Sequence, residues 1–234
     1  MFIPIGDDNH GRVRTPFIVV SLVVSNALVW YLQLSLGEPF TYGFSAVPYE
    51  LTRGLDLASA TQVHGPGGVQ QIPHFPGPSP IWLTIFSSMF MHGSWGHILG
   101  NMLYLIIFGD QIEDRLGHFR FLLFYLVCGV AASIAHIAID PTSTIPCLGA
   151  SGAIAGVLGA YWVTHPNNRV KVIWFRPLQL THIPASIVLG GWIVIQLVSQ
   201  VSVFGESSGV AYMAHIGGFL AGFLLIKMMR PAAD

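Results

Sequence analysis

Long apolar runs separated by short polar segments dominate the chain. Six of these runs, each 16 to 23 residues long, are apolar enough to form membrane-spanning helices. A hydrocarbon core of roughly 30 Å needs about 20 apolar residues of helix. The pattern therefore predicts an all-α, polytopic membrane protein with spans at about 16–36, 93–109, 118–139, 149–164, 179–201 and 210–229.

Composition supports this interpretation. Of the 234 residues, 53% are hydrophobic and only 9% are charged, whereas a soluble domain carries about 25% charged residues. We expect one six-helix bundle over residues 16–230, preceded by a cytoplasmic segment at 1–15 and interrupted by an outer loop at 37–80. The net charge of −1 gives no indication of a nucleic-acid partner.

The basic residues predict the orientation, because Lys and Arg collect in cytoplasmic loops. With both termini inside (N-in, C-in), only Arg53 of the ten basic residues falls outside. The nine inner ones are Arg12, Arg14, Arg115, Arg120, Arg169, Lys171, Arg176, Lys227 and Arg230. Since the N-terminus shows no pattern of a cleavable signal or transit peptide, we expect a prokaryotic plasma membrane.

The connections between the spans differ in character. The outer loop ends in the Pro- and Gly-rich stretch 64–80, for which we expect irregular backbone. The inner segment 165–177 is short and basic, and we interpret it as a simple connection. The last outer loop, 201–209, contains enough Gly and Ser to be mobile.

Polar residues of the membrane region collect at one depth. Spans two, four and six all run from outside to inside, so their first halves lie at the same level. His97 and Asn101 lie on span two, Ser151 on span four and His215 on span six. At about 1.5 Å per residue, each is within roughly 12 Å of the start of its helix, so the four side chains can meet.

Taken singly, each of these residues has an ordinary structural explanation, such as interhelical hydrogen bonding or close packing. Taken together, they favour a catalytic function. A serine hydroxyl becomes a good nucleophile only when a base takes its proton, and His215 and His97 are the bases at this depth. Asn101 and His97 could donate hydrogen bonds to an oxyanion. With no carboxylate at this level, the sequence predicts a Ser-His dyad.

Two further features favour this prediction. Small residues allow the backbones of spans four and six to approach closely; they are Gly152, Gly156, Gly218 and Gly222. Span four is only about 24 Å long, so Ser151 at its outer end should lie below the membrane surface. A polar cavity open to the outside would supply the water that hydrolysis needs.

Three motifs resemble the rhomboid family of intramembrane serine proteases. In the order found in that family, they are HGSWGHILGNM (92–102), GASGAIAG (149–156) and AHIGGFLAG (214–222). The resemblance implies that Ser151 is the nucleophile and His215 the general base, and that His97, Asn101 and the Ser151 backbone N–H bind the oxyanion. Supporting glycines within the motifs are Gly149, Gly152, Gly218 and Gly222.

The resemblance also implies a substrate class. Rhomboid proteases cleave single-span membrane proteins in or near the transmembrane helix, favour small residues at the cut and need no cofactor or metal. Span five and the loop at 200–209 would form the gate and cap through which substrate and water enter. The outer loop at 37–80 would dip into the outer leaflet.

The sequence departs from the family pattern at two places. In well-studied members an aromatic residue four positions after the serine supports the catalytic histidine, and here that position is Ala155. We therefore expect another group, such as an aromatic side chain of a different span, to hold His215. The Trp-Arg pair that precedes span two in some members is represented by Trp82 and Leu83.

The same residues also fit other functions. The chain could be a catalytically inactive, substrate-binding relative, or a small transporter whose intramembrane His and Asn bind an ion. A haem bound by His97 and His215 would leave Ser151 and Asn101 without a role. His64 and His74 of the outer loop are expected to be solvated rather than metal-binding. The sequence leaves the oligomeric state open.

Overall fold

A computed structural model of the protein describes residues 2–8, 11–65, 68–175, 178–202, 210–229 and 231. The described chain is mostly helical. Its helices are α1 (Phe17–Leu36), α2 (Glu38–Gly43), α3 (Pro48–Arg53), α4 (Thr84–Ser87), α5 (Trp95–Leu116), α6 (His118–Ile139), α7 (Ser151–Thr164), α8 (Ala185–Ser202) and α9 (Tyr212–Met228). Two 3₁₀ turns, Ile81–Leu83 and Ser88–Phe90, flank α4.

Several helices are apolar enough to cross a bilayer, so the protein is a multi-pass integral membrane protein. By length and composition, α1, α6 and α8 can each span a membrane. The helices α7 and α9 are also apolar, but they have only 14 and 17 residues. Large apolar side chains such as Leu28 of α1 point outward and are 61% exposed, as expected for a surface that faces lipid.

The short helix α7 is the centre of the bundle. All ten of its residues from Gly152 to Tyr161 are buried, and α5, α6 and α9 pack around it. A helix that is apolar on all sides is stable only where neighbours cover it completely. At about 1.5 Å per residue its 14 residues span roughly 21 Å, which is less than the hydrocarbon thickness.

The prediction of an all-α fold was wrong in one region. The strands β1 (Phe2–Asp7), β4 (Arg169–Phe175) and β5 (Leu178–Pro184) form a three-stranded antiparallel sheet in the order β1-β4-β5. From Arg169 to Val172, exposed basic residues alternate with buried valines, a period of two that is typical of a half-buried strand. The sequence alone predicts a loop here, because basic residues are typical of cytoplasmic connections between spans.

This sheet also moves the start of the fifth apolar helix. The sequence placed the span at about 179–201, but residues up to Pro184 pair with β4 and the helix begins at Ala185. In Leu178–Pro184 hydrophobicity alone does not distinguish a strand from the first turns of a helix.

The outer loop has more structure than expected. Besides α2 and α3, it contains an antiparallel hairpin of β2 (Thr61–Gly65) and β3 (Gly68–Ile72). The prediction of irregular backbone from residue 64 was therefore wrong for these strands, while residues 73–80 contain neither helix nor strand. Most of the predicted mobile loop at 201–209 lies outside the described residues.

The helix α5 ends at Leu116, seven residues beyond the predicted end of span two. Its acidic C-terminal end binds the segment that leads into α1. Both carboxylate oxygens of the fully buried Glu113 accept hydrogen bonds, from the N–H groups of Ile18 and Val19, each at 2.8 Å. Arg12 pairs with Asp110 at 2.7 Å. The acidic residues thus hold the start of α1, whose first N–H groups have no acceptor within the helix.

Candidate active site

Ser151 is the first residue of α7, so its own N–H has no acceptor within the helix. Gly149 positions it. The backbone there has φ +128°, a conformation that favours glycine. A Cβ at this position would also lie 2.7 Å from Cε1 and Nε2 of His97. Gly149 therefore allows both the turn into α7 and the close approach of the His97 ring.

His215, in the first turn of α9, faces Ser151. Its Nε2 is 2.8 Å from Ser151 Oγ, and its Nδ1 is 2.8 Å from Oε1 of Gln196 on α8. An amide oxygen only accepts hydrogen bonds, so Nδ1 carries the proton. Nε2 then has a free lone pair and accepts the serine O–H. A hydroxyl and a base in this arrangement can perform nucleophilic catalysis.

The backbones of α7 and α9 touch beside this pair. A Cβ at Gly218 would meet the carbonyl oxygen of Gly152, and one at Gly222 would meet that of Gly156. Because neither glycine has a side chain, the two helices approach as closely as they do in small-xxx-small interfaces of membrane proteins. This approach brings His215 within hydrogen-bond distance of Ser151.

His97 and Asn101 lie one turn apart on α5. The N–H of Gly93 donates to His97 Nδ1 at 3.4 Å, which places the ring proton on Nε2, the nitrogen that faces Gly149. One N–H of the Asn101 amide donates to Nε2 of His92 at 2.9 Å. The second N–H of this amide is then available to a ligand. Among the described residues no hydrogen bond joins Asn101 directly to Ser151.

Comparison with known proteins identifies the family. A family model of the Rhomboid domain matches residues 80–232, which is more than half of the chain. The chain belongs to the rhomboid family. The family resemblance inferred from the three motifs is thus confirmed.

Curated relatives of this rhomboid come from plants, bacteria and yeast. RHOMBOID-like protein 4 of Arabidopsis thaliana is 28% identical over 92% of this chain and 54% of its own length. Rhomboid-like protein 11, chloroplastic, of the same plant is 26% identical over 66% of this chain and 56% of its own. Rhomboid protease GluP of Bacillus subtilis (strain 168) is 30% identical over 61% of this chain and 25% of its own. The chain spans about half the length, or less, of these relatives.

In this rhomboid two side chains of α8 hold His215. Gln196 accepts its Nδ1–H, and the ring of Trp192 lies 5.8 Å from the imidazole, centroid to centroid, with the planes tilted by 41°. Ala155, where an aromatic residue stands in well-studied members, is fully buried and supplies only a methyl group. An aromatic residue of another span thus contacts His215, as expected, but the sequence analysis did not identify Gln196.

Sequence reasoning also missed His92. This residue is 1% exposed, and its backbone is held by the Gln33 amide, which accepts from the His92 N–H and donates to the His92 carbonyl, each at 2.9 Å. Its position in the first motif, five residues before His97, was the available signal. His92 orients the Asn101 amide and so acts on the site through another residue.

His74 of the outer loop makes its hydrogen bond away from this site. The His64 side chain lies outside the described structure. His74 was expected to be solvated, but it is only 4% exposed, and its Nε2 lies 3.0 Å from the Thr61 hydroxyl. Burial lowers the pKa of His74. The expectation was wrong because the β2–β3 hairpin, which covers this part of the loop, was not predicted.

Proposed function

We propose that this rhomboid is an intramembrane serine endopeptidase that cleaves single-span membrane proteins in or near their transmembrane segment. The observation that carries the proposal is the 2.8 Å contact between Ser151 Oγ and His215 Nε2 at the start of a helix buried on all sides. Membership of a family that includes a relative named as a protease supports it.

In the proposed reaction Ser151 Oγ attacks the scissile carbonyl carbon while Nε2 of His215 takes the hydroxyl proton. The tetrahedral intermediate collapses to an acyl-enzyme, and His215 gives the proton to the leaving amine. Water, deprotonated by His215, then attacks the acyl carbon and releases Ser151. The dyad acts as base and acid in turn.

Three donors are available for the oxyanion of the intermediate. They are Nε2–H of His97, the second amide N–H of Asn101 and the backbone N–H of Ser151. The N-terminus of α7 adds the positive end of the helix dipole at the same place. One donor of this kind typically contributes about 2.7–4 kcal/mol to lowering the barrier.

The proposal includes an orientation. We infer six membrane spans with both termini on the inner side, so that Ser151, at the outer end of the short helix α7, opens toward the outside. Water reaches it through a cavity sunk below the membrane surface. The match to chloroplastic and mitochondrial proteins as well as bacterial ones indicates that the family occupies several membranes, of which we favour a prokaryotic plasma membrane for this chain.

The test uses the purified full chain in detergent and a single-span substrate. We expect the wild type to cleave this substrate, and Ser151→Ala and His215→Ala to abolish cleavage without loss of fold. A fluorophosphonate probe should label Ser151 only when His215 is present. Residual cleavage in either variant would rule out the dyad. A wild type that binds the substrate without cleaving it would instead support an inactive, substrate-binding rhomboid.

A further inference from the structure

Two side chains on one face of α8 meet the imidazole of His215. Trp192 and Gln196 are four residues apart, so both point to the same side of the helix. Gln196 is only 8% exposed, and its amide oxygen lies 2.8 Å from Nδ1, the ring nitrogen that Ser151 does not contact. A buried polar side chain on a lipid-exposed helix is costly unless it has a specific partner.

We propose that Gln196 is the positioning residue of the catalytic histidine. Its amide oxygen accepts the Nδ1–H and thereby holds the imidazole in the tautomer whose Nε2 lone pair faces Ser151 Oγ. In the other tautomer Nε2 would carry the proton and could not accept the serine proton at all. This inference deepens the proposed protease function and rests on it.

A neutral amide suits this position better than a carboxylate. Burying an ionised carboxylate at membrane depth has a large desolvation cost. An amide oxygen accepts the Nδ1–H and orients the ring in the same way, but it carries no net charge. Cysteine proteases of the papain type use an asparagine in this way, in a Cys-His-Asn arrangement. Ser151, His215 and Gln196 form the corresponding series from three different helices.

The role of Gln196 depends on where α8 lies, as the pattern of burial along this helix shows. Its buried residues are Ala185, Val188, Leu189, Ile193 and Gln196. Toward the outer end Leu197, Val198 and Val201 are 48%, 60% and 77% exposed. Gln196 is thus the outermost buried residue of the helix. An outward tilt of this end would withdraw Gln196 and Trp192 from His215 together, so the alignment of the histidine depends on where α8 lies.

The test compares two substitutions of similar length. Gln196→Met removes the acceptor oxygen, and Gln196→Glu keeps an oxygen at the same reach. We expect the Met variant to lower kcat by about 100-fold, the lower end of the range for general-base catalysis, with KM within about twofold of the wild type. The Glu variant should retain more activity than the Met variant. Gln200→Met, one turn further out on α8, is the matched control and should leave kcat unchanged.

Nitrogen NMR of labelled histidine gives a readout that does not depend on cleavage. The His215 signals, assigned by their loss in His215→Ala, should show the proton on Nδ1 in the wild type and a mixture of tautomers in Gln196→Met. The inference is overturned if the Met variant keeps the wild-type tautomer, or if its kcat equals that of an active wild type. A wild type that cleaves no substrate would contradict the proposed function, while the tautomer measurement would still decide the role of Gln196.

Discussion

Ser151 and His215 lie 64 positions apart in sequence and 2.8 Å apart in space, across a helix interface in which glycine backbones are in direct contact. Gly152 and Gly156 on α7 meet Gly218 and Gly222 on α9, with carbonyl oxygens where a Cβ would otherwise be. The distance between hydroxyl and imidazole therefore depends on backbone packing. A change that separates the two helices by a fraction of an ångström should affect stability and the dyad together.

We predict that Gly222→Ala destabilises the fold and slows cleavage. The added methyl group would overlap the carbonyl oxygen of Gly156, so the helices must move apart, at a cost of about 1–3 kcal/mol for overpacking of this kind. Thermal unfolding in detergent measures the stability, and probe labelling of Ser151 measures the dyad.

Gly191→Ala on α8 is the matched control, because nothing lies within 4 Å of a Cβ at that position. Its melting temperature and labelling rate should stay at the wild-type values. If Gly222→Ala behaved in the same way, neither the stability of the fold nor the reactivity of Ser151 would require the close contact at Gly156.

The apolar pattern alone was sufficient to predict the long helices α1, α5, α6, α7, α8 and α9, since buried or lipid-facing helices need long apolar runs. It was not sufficient for the β1-β4-β5 sheet. β1 lies more than 160 residues before β4 in sequence, and strand pairing over such a distance leaves no local signal. The extension of α5 to Leu116 was missed for a related reason, because the polar residue Glu113 makes hydrogen bonds to the distant start of α1.

For the site, sequence reasoning identified candidate residues from their expected depth in the membrane and from the three motifs. It could not identify Gln196, because a single polar residue in an apolar helix reveals neither its partner nor its direction. The absence of an aromatic residue at Ala155 predicted only that some other group contacts His215. Contacts between helices, which carry this information, exist only in the folded chain.

Asn101→Ala should lower kcat by about 100- to 1000-fold, the range for loss of an oxyanion donor, and should change KM little. The reason is that the second amide N–H of Asn101 would meet the oxyanion, which develops only in the transition state. Asn26→Ala is a suitable control: Asn26 is also buried, and its amide donates within α1 to the Leu22 carbonyl. Turnover by Asn101→Ala within twofold of the wild type would exclude Asn101 from the oxyanion site.

Glu113→Ala should destabilise the protein by about 2–3 kcal/mol, because the N–H groups of Ile18 and Val19 would lose their acceptors in a buried place. Glu113→Gln keeps one accepting oxygen and should cost about half as much. The exposed Glu38→Ala serves as the control and should have no effect. Unfolding in detergent gives the values, and equal stability of Glu113→Ala and the wild type would contradict this account of how α1 is held.

The carboxyl of Asp7, at the end of β1, predicts that the stability of the protein depends on pH. Burial raises the pKa of this carboxyl from 3.8 to about 6, although the hydroxyl of Tyr161 donates to it. Since the folded state has the higher pKa, it binds the proton more tightly than the unfolded state. The contribution of Asp7 to stability is therefore most favourable below about pH 4, falls as pH rises to about 6, and is constant above that value.

Asp7→Asn removes the titration and keeps an oxygen that accepts from Tyr161. We expect this variant to melt at the wild-type temperature near pH 4 and above it at pH 7, so that the difference grows between these values. Glu38 is an exposed acid, and Glu38→Gln should show no such trend. A difference that is the same at both pH values, or larger at pH 4, would mean that burial does not disfavour the charged form of Asp7.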